Sequence, residues 1–238
     1  MIVAAHQPHY FPWIGYFNKL YLSDVFMLMD NMNFTNNSYI NRNRIINSKG
    51  IQYINIPLSK PNGIHTKINE LVIENTRQKN WNIKTLRTLS HNYFGGKGFP
   101  EFYPIVEDIL LKKFDLYIDL AICIEKEIMD FLGINTKIIL ASETNTTGNK
   151  ENELIIKIMQ NSGCNSVLLG LGASLNYVDF DFVKNEGYEL LSQEYLYPKY
   201  YQKTEPFVQG VSILDLLFNE NRNDASLIVK NAGKVKKI

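Results

Sequence analysis

The chain has little of what marks several large protein classes. Two cysteines, Cys123 and Cys164, occur in 238 residues, with no C-x-x-C spacing and no partnering histidine cluster. Neither a disulfide framework nor a zinc site is expected, and no metal ligands are assigned. Both thiols lie in apolar surroundings, "AICIEKEI" and "NSGCNSVLL", where buried free cysteines are common. No apolar run reaches the roughly eighteen residues that a membrane span needs. "MIVAA" has no basic flank and is too short for a signal peptide, so a cytoplasmic protein is expected. Charge of one sign is lacking too. Lys+Arg 25 against Asp+Glu 24 leaves a net charge of +1, with no field to gather DNA or an anionic membrane. G-x-S-x-G, H-E-x-x-H and a Walker loop are absent, which argues against serine hydrolase, zincin and P-loop NTPase chemistry.

What is present reads as a globular α/β protein. Hydrophobic residues make up 45% and charged residues 21%, enough for one large core. "MIVAA" has the character of a short buried strand, and Pro8 and Pro12 forbid a helix directly after it. Ile14, Phe17, Leu20 and Tyr21 then recur at helical spacing, and "DVFMLMD" reads as a second buried strand. Strand, tight loop, helix and strand open a parallel α/β unit. "RNRII" and "IQYINIPL", joined by "NSKG", form an expected hairpin, and "HTKINELVIEN" offers a further strand. "NWNIKTLRTLSH" is helical. "FPEFYPIVEDILLKKFDLYIDLAICIEKEIMDFLGI" carries long helical periodicity stopped at Gly133. "TKIILASE", the amphipathic "NKENELIIKIMQNSGC" and "NSVLLGLGA" repeat strand–helix–strand; "YELLSQEY" adds a strand and "SILDLLFN" a helix. The expected fold is a mostly parallel, Rossmann-like sheet flanked by helices, with a helical insertion over about 80–133. One domain over 1–238 is expected.

Chemistry concentrates in "HQPHYFPW". Ligands of open parallel sheets bind beyond the carboxyl ends of strands, which is where this loop falls if "MIVAA" is central. His6 and His9 can donate, accept or carry a proton near neutral pH. Gly15 admits a close approach, and Lys19 lies one helical turn further on. The alternative is that His6 and Gln7 only tie down the loop while the aromatics form a small core. In "YINRNRI", Arg42 and Arg44 alternate with Asn41 and Asn43. Two arginines on one strand face form a fork for phosphate or carboxylate, or else a solvated edge. Asp30 closes the second strand at the same edge, as a site carboxylate or a cap. "GLGASLNY" holds two glycines after a strand without the full phosphate fingerprint. Ser212 reads as a helix N-cap with Asp215 as a near capping box.

Together these stretches resemble the WbqC-like family of bacteria. The residues that carry the resemblance are His6, Gln7, Pro8, Tyr10, Pro12, Trp13, Gly15, Tyr16, Phe17 and Lys19. With them go "YINRNRI", "INIPL", "NWNIKTLRTL", "LLGLGASLNYVDFDFVKNEGYELLSQEY" and "YYQKTEPFVQGVSILDLLFNEN". The family is associated with O-antigen and other surface-polysaccharide gene clusters. The resemblance implies acyl or aminoacyl transfer, for example of glycyl, to the amine of a nucleotide-linked amino sugar. A sugar amine must lose a proton on acylation, which nominates His6 or His9 as base, with Asp30 orienting a histidine or receiving a hydroxyl. Arg42 and Arg44 would hold phosphates, and Gln7, Tyr10, Trp13, Gly15, Lys19, Asn41 and Gln202 would complete the substrate site. No cofactor motif is recognisable; an acyl or aminoacyl donor, or ATP with Mg²⁺, is compatible. The rival readings are a nucleotide-sugar or glycan-binding protein without catalysis, and a nucleotidyltransferase.

Overall fold

The fold is that of a computed structural model, which describes residues 1–75, 80–146, 151–170 and 178–238. The opening unit is β1 (Ile2–His6), α1 (Ile14–Tyr21) and β2 (Val25–Leu28). β1 lies in the middle of a six-stranded sheet, flanked in parallel by β2 and by β8 (Ser166–Leu169). β7 (Lys137–Leu140) pairs in parallel with β2 at one edge. On the far side, β9 (Glu189–Tyr195) pairs in parallel with β8, and β10 (Gly233–Lys237) closes the other edge antiparallel to β9. The strand order is β10-β9-β8-β1-β2-β7.

Side chains alternate across the sheet and feed two cores. Ala4, Phe26, Leu28 and Leu168 face one layer, while Val3, Met27, Val167 and Leu169 face the other. Both faces are covered, and the central strands accordingly read as apolar runs. The first layer holds α1, α2 (Trp81–Tyr93), α3 (Phe99–Leu111), α4 (Tyr117–Leu132), α7 (Ile213–Asn219) and α8 (Arg222–Asn231). The second holds α5 (Glu151–Ser162) and α6 (Phe180–Asn185). The expected hairpin is β3 (Arg42–Asn47) with β4 (Gly50–Asn55), a separate antiparallel pair.

Two expectations differ from the structure. The long helical stretch is two helices, because the backbone between them pairs elsewhere. Ile73 N–H donates to the Asp115 carbonyl and Tyr117 N–H to the Leu71 carbonyl, pulling 112–116 out of helical geometry. "HTKINELVIEN" begins at the end of one 3₁₀ turn, Gly63–His65, makes a second, Ile68–Glu70, and only then reaches the short β6 (Val72–Ile73), which pairs with β5 (Leu58–Ser59). The Glu70 carboxylate accepts from the Lys67 N–H and closes the second turn before a strand can extend. Cys164 is buried, as expected, and Cys123 is half-buried. In "GLGASLNY", residues 171–177 lie outside the described residues.

Candidate functional site

The chain leaves β1 toward β2 on one side, whereas β8 leads to β9 on the other. The carboxyl ends of β1 and β8 are therefore a topological switch point, the place where open α/β sheets form a crevice. Here the loop after His6 is held by distant backbone and side-chain partners. Phe11 adopts φ 45°, a left-handed conformation that costs a non-glycine residue about 1–3 kcal/mol. Its carbonyl accepts from Asn43 Nδ2 at 2.7 Å and Ser212 Oγ at 2.8 Å, which fix it there. Asn43 also donates to the Tyr10 carbonyl, Ile213 N–H to Pro12, and Tyr10 N–H to Tyr39.

This bracing gathers rings. The His6 and His9 centroids are 4.7 Å apart and edge-on, with Trp13 5.5 Å from each. Tyr16 lies 5.0 Å from His6 and 6.0 Å from His9, and Tyr39 closes over His9 at 5.7 Å. Arg44 sits over the Tyr39 ring. His6 Nδ1 is 2.9 Å from the Gln7 carbonyl. His9 Nδ1 is buried and has no protein partner.

Burial governs the charges. It pushes the His6 imidazole down to about 4, helped by the Lys19 cation and opposed by the bond to Gln7. His9 is also held well below its usual value, by burial and then by its neighbour His6. Both rings are neutral at pH 7. Lys19, buried on α1 with Nζ 3.1 Å from the Ala5 carbonyl, is lowered to about 8 by burial and keeps most of its charge. Beneath Tyr16 lies Glu125 of α4, fully buried, accepting from the Tyr16 hydroxyl through Oε1 while Oε2 has no partner. Burial pushes this carboxyl up to about 8, against the Tyr16 bond. Sequence reading missed Glu125, although it falls in step with Ala121, Ile128 and Leu132 on the buried face of α4.

The sequence model of the WbqC-like protein family matches residues 7–227. The chain belongs to the WbqC-like protein family. It is similar to the uncharacterized protein Rv1507c of Mycobacterium tuberculosis (strain ATCC 25618 / H37Rv), at 31% identity over 225 residues. That match covers 91% of this chain and 93% of the relative. No solved structure matches the chain.

In this WbqC-like protein the residues singled out from sequence separate into groups. His6, His9 and Trp13 come together in the ring cluster, with Arg44 at its edge. Gln7 and Lys19 line a cavity of about 270 Å³ at the β1–β8 crevice. Trp13 lines a different groove, with Tyr195, Tyr197 and Phe207, so Gln7 and Trp13 of the one loop open into separate spaces. Gly15 does admit a close approach, but of protein: a Cβ there would stand 2.7 Å from Trp13 Nε1 and 3.2 Å from the Tyr195 ring. Tyr10 is wholly buried against Phe11 and Trp81, a core residue rather than a surface for substrate.

The arginine fork is divided. Arg44 donates to the Gly210 carbonyl at 2.7 Å, whereas Arg42 lies over the exposed ring of Tyr53. Asn41 gives its carbonyl to the Ile56 N–H. Both Asp30 oxygens accept from Ser142, from its N–H and its hydroxyl, joining β2 to the end of β7 instead of orienting a histidine. Gln202 donates to Asp215, which also accepts from the Tyr93 and Tyr200 hydroxyls. Asp215 is thus turned into a buried network, and Ser212 caps α7 without a reciprocal capping box. Among the described residues, no helix is long and apolar enough to cross a membrane, and no group of three or more His, Cys, Asp or Glu could hold a metal ion.

Proposed function

We propose that this protein is a transferase of surface-polysaccharide (O-antigen) synthesis that moves an acyl or aminoacyl group onto the amine of a nucleotide-linked amino sugar. The observation that carries the reading is the state of His6. A backbone carbonyl can only accept, so Nδ1 holds the proton toward Gln7 and the Nε2 lone pair is left open on a neutral ring. The amine nitrogen attacks the acyl carbon, the new C–N bond forms, and the bond from the acyl carbon to the donor's leaving group breaks with its electron pair. The proton of the attacking nitrogen goes to His6 Nε2. A nitrogen that has just added to a carbonyl is far more acidic than a free ammonium, so an imidazole of low basicity can take it. Lys19 supplies positive charge for the carbonyl oxygen as it becomes an oxyanion. In this reading Arg44, at the rim of the ring cluster, meets the nucleotide phosphates with the guanidinium N–H groups that Gly210 does not take.

The test is amide formation, read by mass spectrometry, from a UDP-linked amino sugar and a panel of acyl and aminoacyl thioesters and adenylates. His6→Ala should lower turnover about 10²–10⁴-fold in protein that circular dichroism shows to be folded. His6→Gln should be equally slow, because a carboxamide cannot take the proton. The acid limb of kcat/KM should fall near pH 4, where His6 protonates. Full activity in His6→Gln would refute the base. Nucleotide-sugar binding without turnover across the panel would favour a binding protein, and pyrophosphate release a nucleotidyltransferase.

A further inference from the structure

The cavity at the β1–β8 crevice has a composition unlike the ring cluster beside it. Among the described residues, only two of its lining side chains are polar, Gln7 and Lys19; its walls include Met29, Met32, Ile155, Ile158, Val167 and Leu169. Met32 is the half-exposed rim, 38% accessible, so the space opens to solvent. Its volume, about 270 Å³, compares with the roughly 150 Å³ that admits a benzene molecule into an apolar protein cavity. It therefore has room for a chain of about eight to ten carbons. The charge is equally telling. Lys19 is 6% accessible and gives one N–H to the Ala5 carbonyl, and among the described residues no carboxylate lies within ion-pair distance of it. A buried cation left with one neutral partner calls for an anion, and here that anion would share the cavity with mostly apolar walls.

We infer that this cavity binds an aliphatic acyl chain, with its carboxyl or acyl-ester head on Lys19 and Gln7 and its tail between α5 and the sheet. The inference rests on the acyl-transfer reading and narrows it: the donor's group is a medium-length alkyl chain, not glycyl. Methionine thioethers at the rim and floor suit a chain of variable length, because they repack at little cost.

Straight-chain carboxylates from acetate to decanoate serve as probes, titrated calorimetrically into the full chain. Affinity should rise about fourfold per methylene, level off near eight to ten carbons, and hold a one-to-one stoichiometry. Met32→Trp, at the rim, and Ile158→Trp, inside, should each abolish octanoate binding; the rim variant answers if the inner one does not fold. Lys19→Met should weaken octanoate more than tenfold while leaving 1-octanol unchanged. Chain-length-independent binding, or octanoate binding that survives Met32→Trp in a folded protein, overturns the inference. Glycyl transfer with no chain binding would overturn it while leaving acyl transfer standing. Chain binding without turnover from octanoyl donors would uphold the cavity and remove the transferase reading.

Discussion

Replacing Glu125 by glutamine should make the protein more stable at neutral pH, although the carboxyl accepts a hydrogen bond from a buried tyrosine. An unfolded chain releases the Glu125 proton near 4.5, whereas the folded chain keeps it until about pH 8. Between those values the native state binds more protons than the unfolded state, so its stability declines as pH rises and the loss is complete only above 8. The slope is about 1.4 kcal/mol per pH unit, which amounts to about 3 kcal/mol at pH 7 relative to pH 4.5. Glutamine ionises in neither state and can still accept from Tyr16. Its NH₂ occupies the place of Oε2, which already lacks a partner, so little new polar cost arises. Urea unfolding followed by tryptophan fluorescence at pH 5, 6, 7 and 8 provides the comparison. His6 and His9 titrate in both proteins and cancel in the difference. The gap between Glu125→Gln and the parent should widen with pH by about the stated slope. Parallel curves would mean that Glu125 ionises alike in both states and that burial does not govern it.

Gly15→Ala should lower stability by about 1 kcal/mol, since overpacking against the Trp13 indole outweighs the helix-propensity gain of alanine. The same change should shift Trp13 emission; an unchanged spectrum would mean the indole has free room. Arg44→Lys should cost about 1 kcal/mol through loss of the Gly210 bond, against less than about 0.5 kcal/mol for Arg42→Lys over exposed Tyr53. Thermal unfolding of the pair checks this, and equal losses would contradict the divided fork.

The parallel core was legible because strands buried on both faces read as apolar runs, and "MIVAA", "DVFMLMD" and "NSVLLGLGA" do so. The break between α3 and α4 was not, because it comes from pairing with residues 71–73 and leaves no glycine or proline at 112–116 to announce it. β10 escaped notice for a similar reason: its lysines suit an exposed edge strand and make the segment look like a solvated tail. The prolines and histidines of the first loop lie beyond the carboxyl end of β1, where the strand–loop–helix pattern put them. The partners of that loop were hidden by separation in sequence. Asn43 looked like one of several asparagines, and Tyr39 like a loop residue. Gln202 and Asp30 had the polarity of site residues but are consumed by Asp215 and Ser142, which only the packed fold discloses.

The first loop of the chain is held in shape by nearly its last helix. Ser212 and Ile213 bond the carbonyls of Phe11 and Pro12, across two hundred residues, and β1 itself lies between β2 and the late strand β8. A ribosome adding about 5–20 residues per second emits the histidine loop about 10–40 s before those partners emerge. Until β8 follows, the central strand has only β2 beside it, and throughout the interval the aromatic segment after it has no bracing from α7. A nascent copy therefore carries this ring-rich stretch without its α7 partners throughout that interval. The ring cluster gains its bracing only once α7 is present, and a copy stopped short of residue 212 has its histidines but not the bonds to Phe11 and Pro12 that fix their loop.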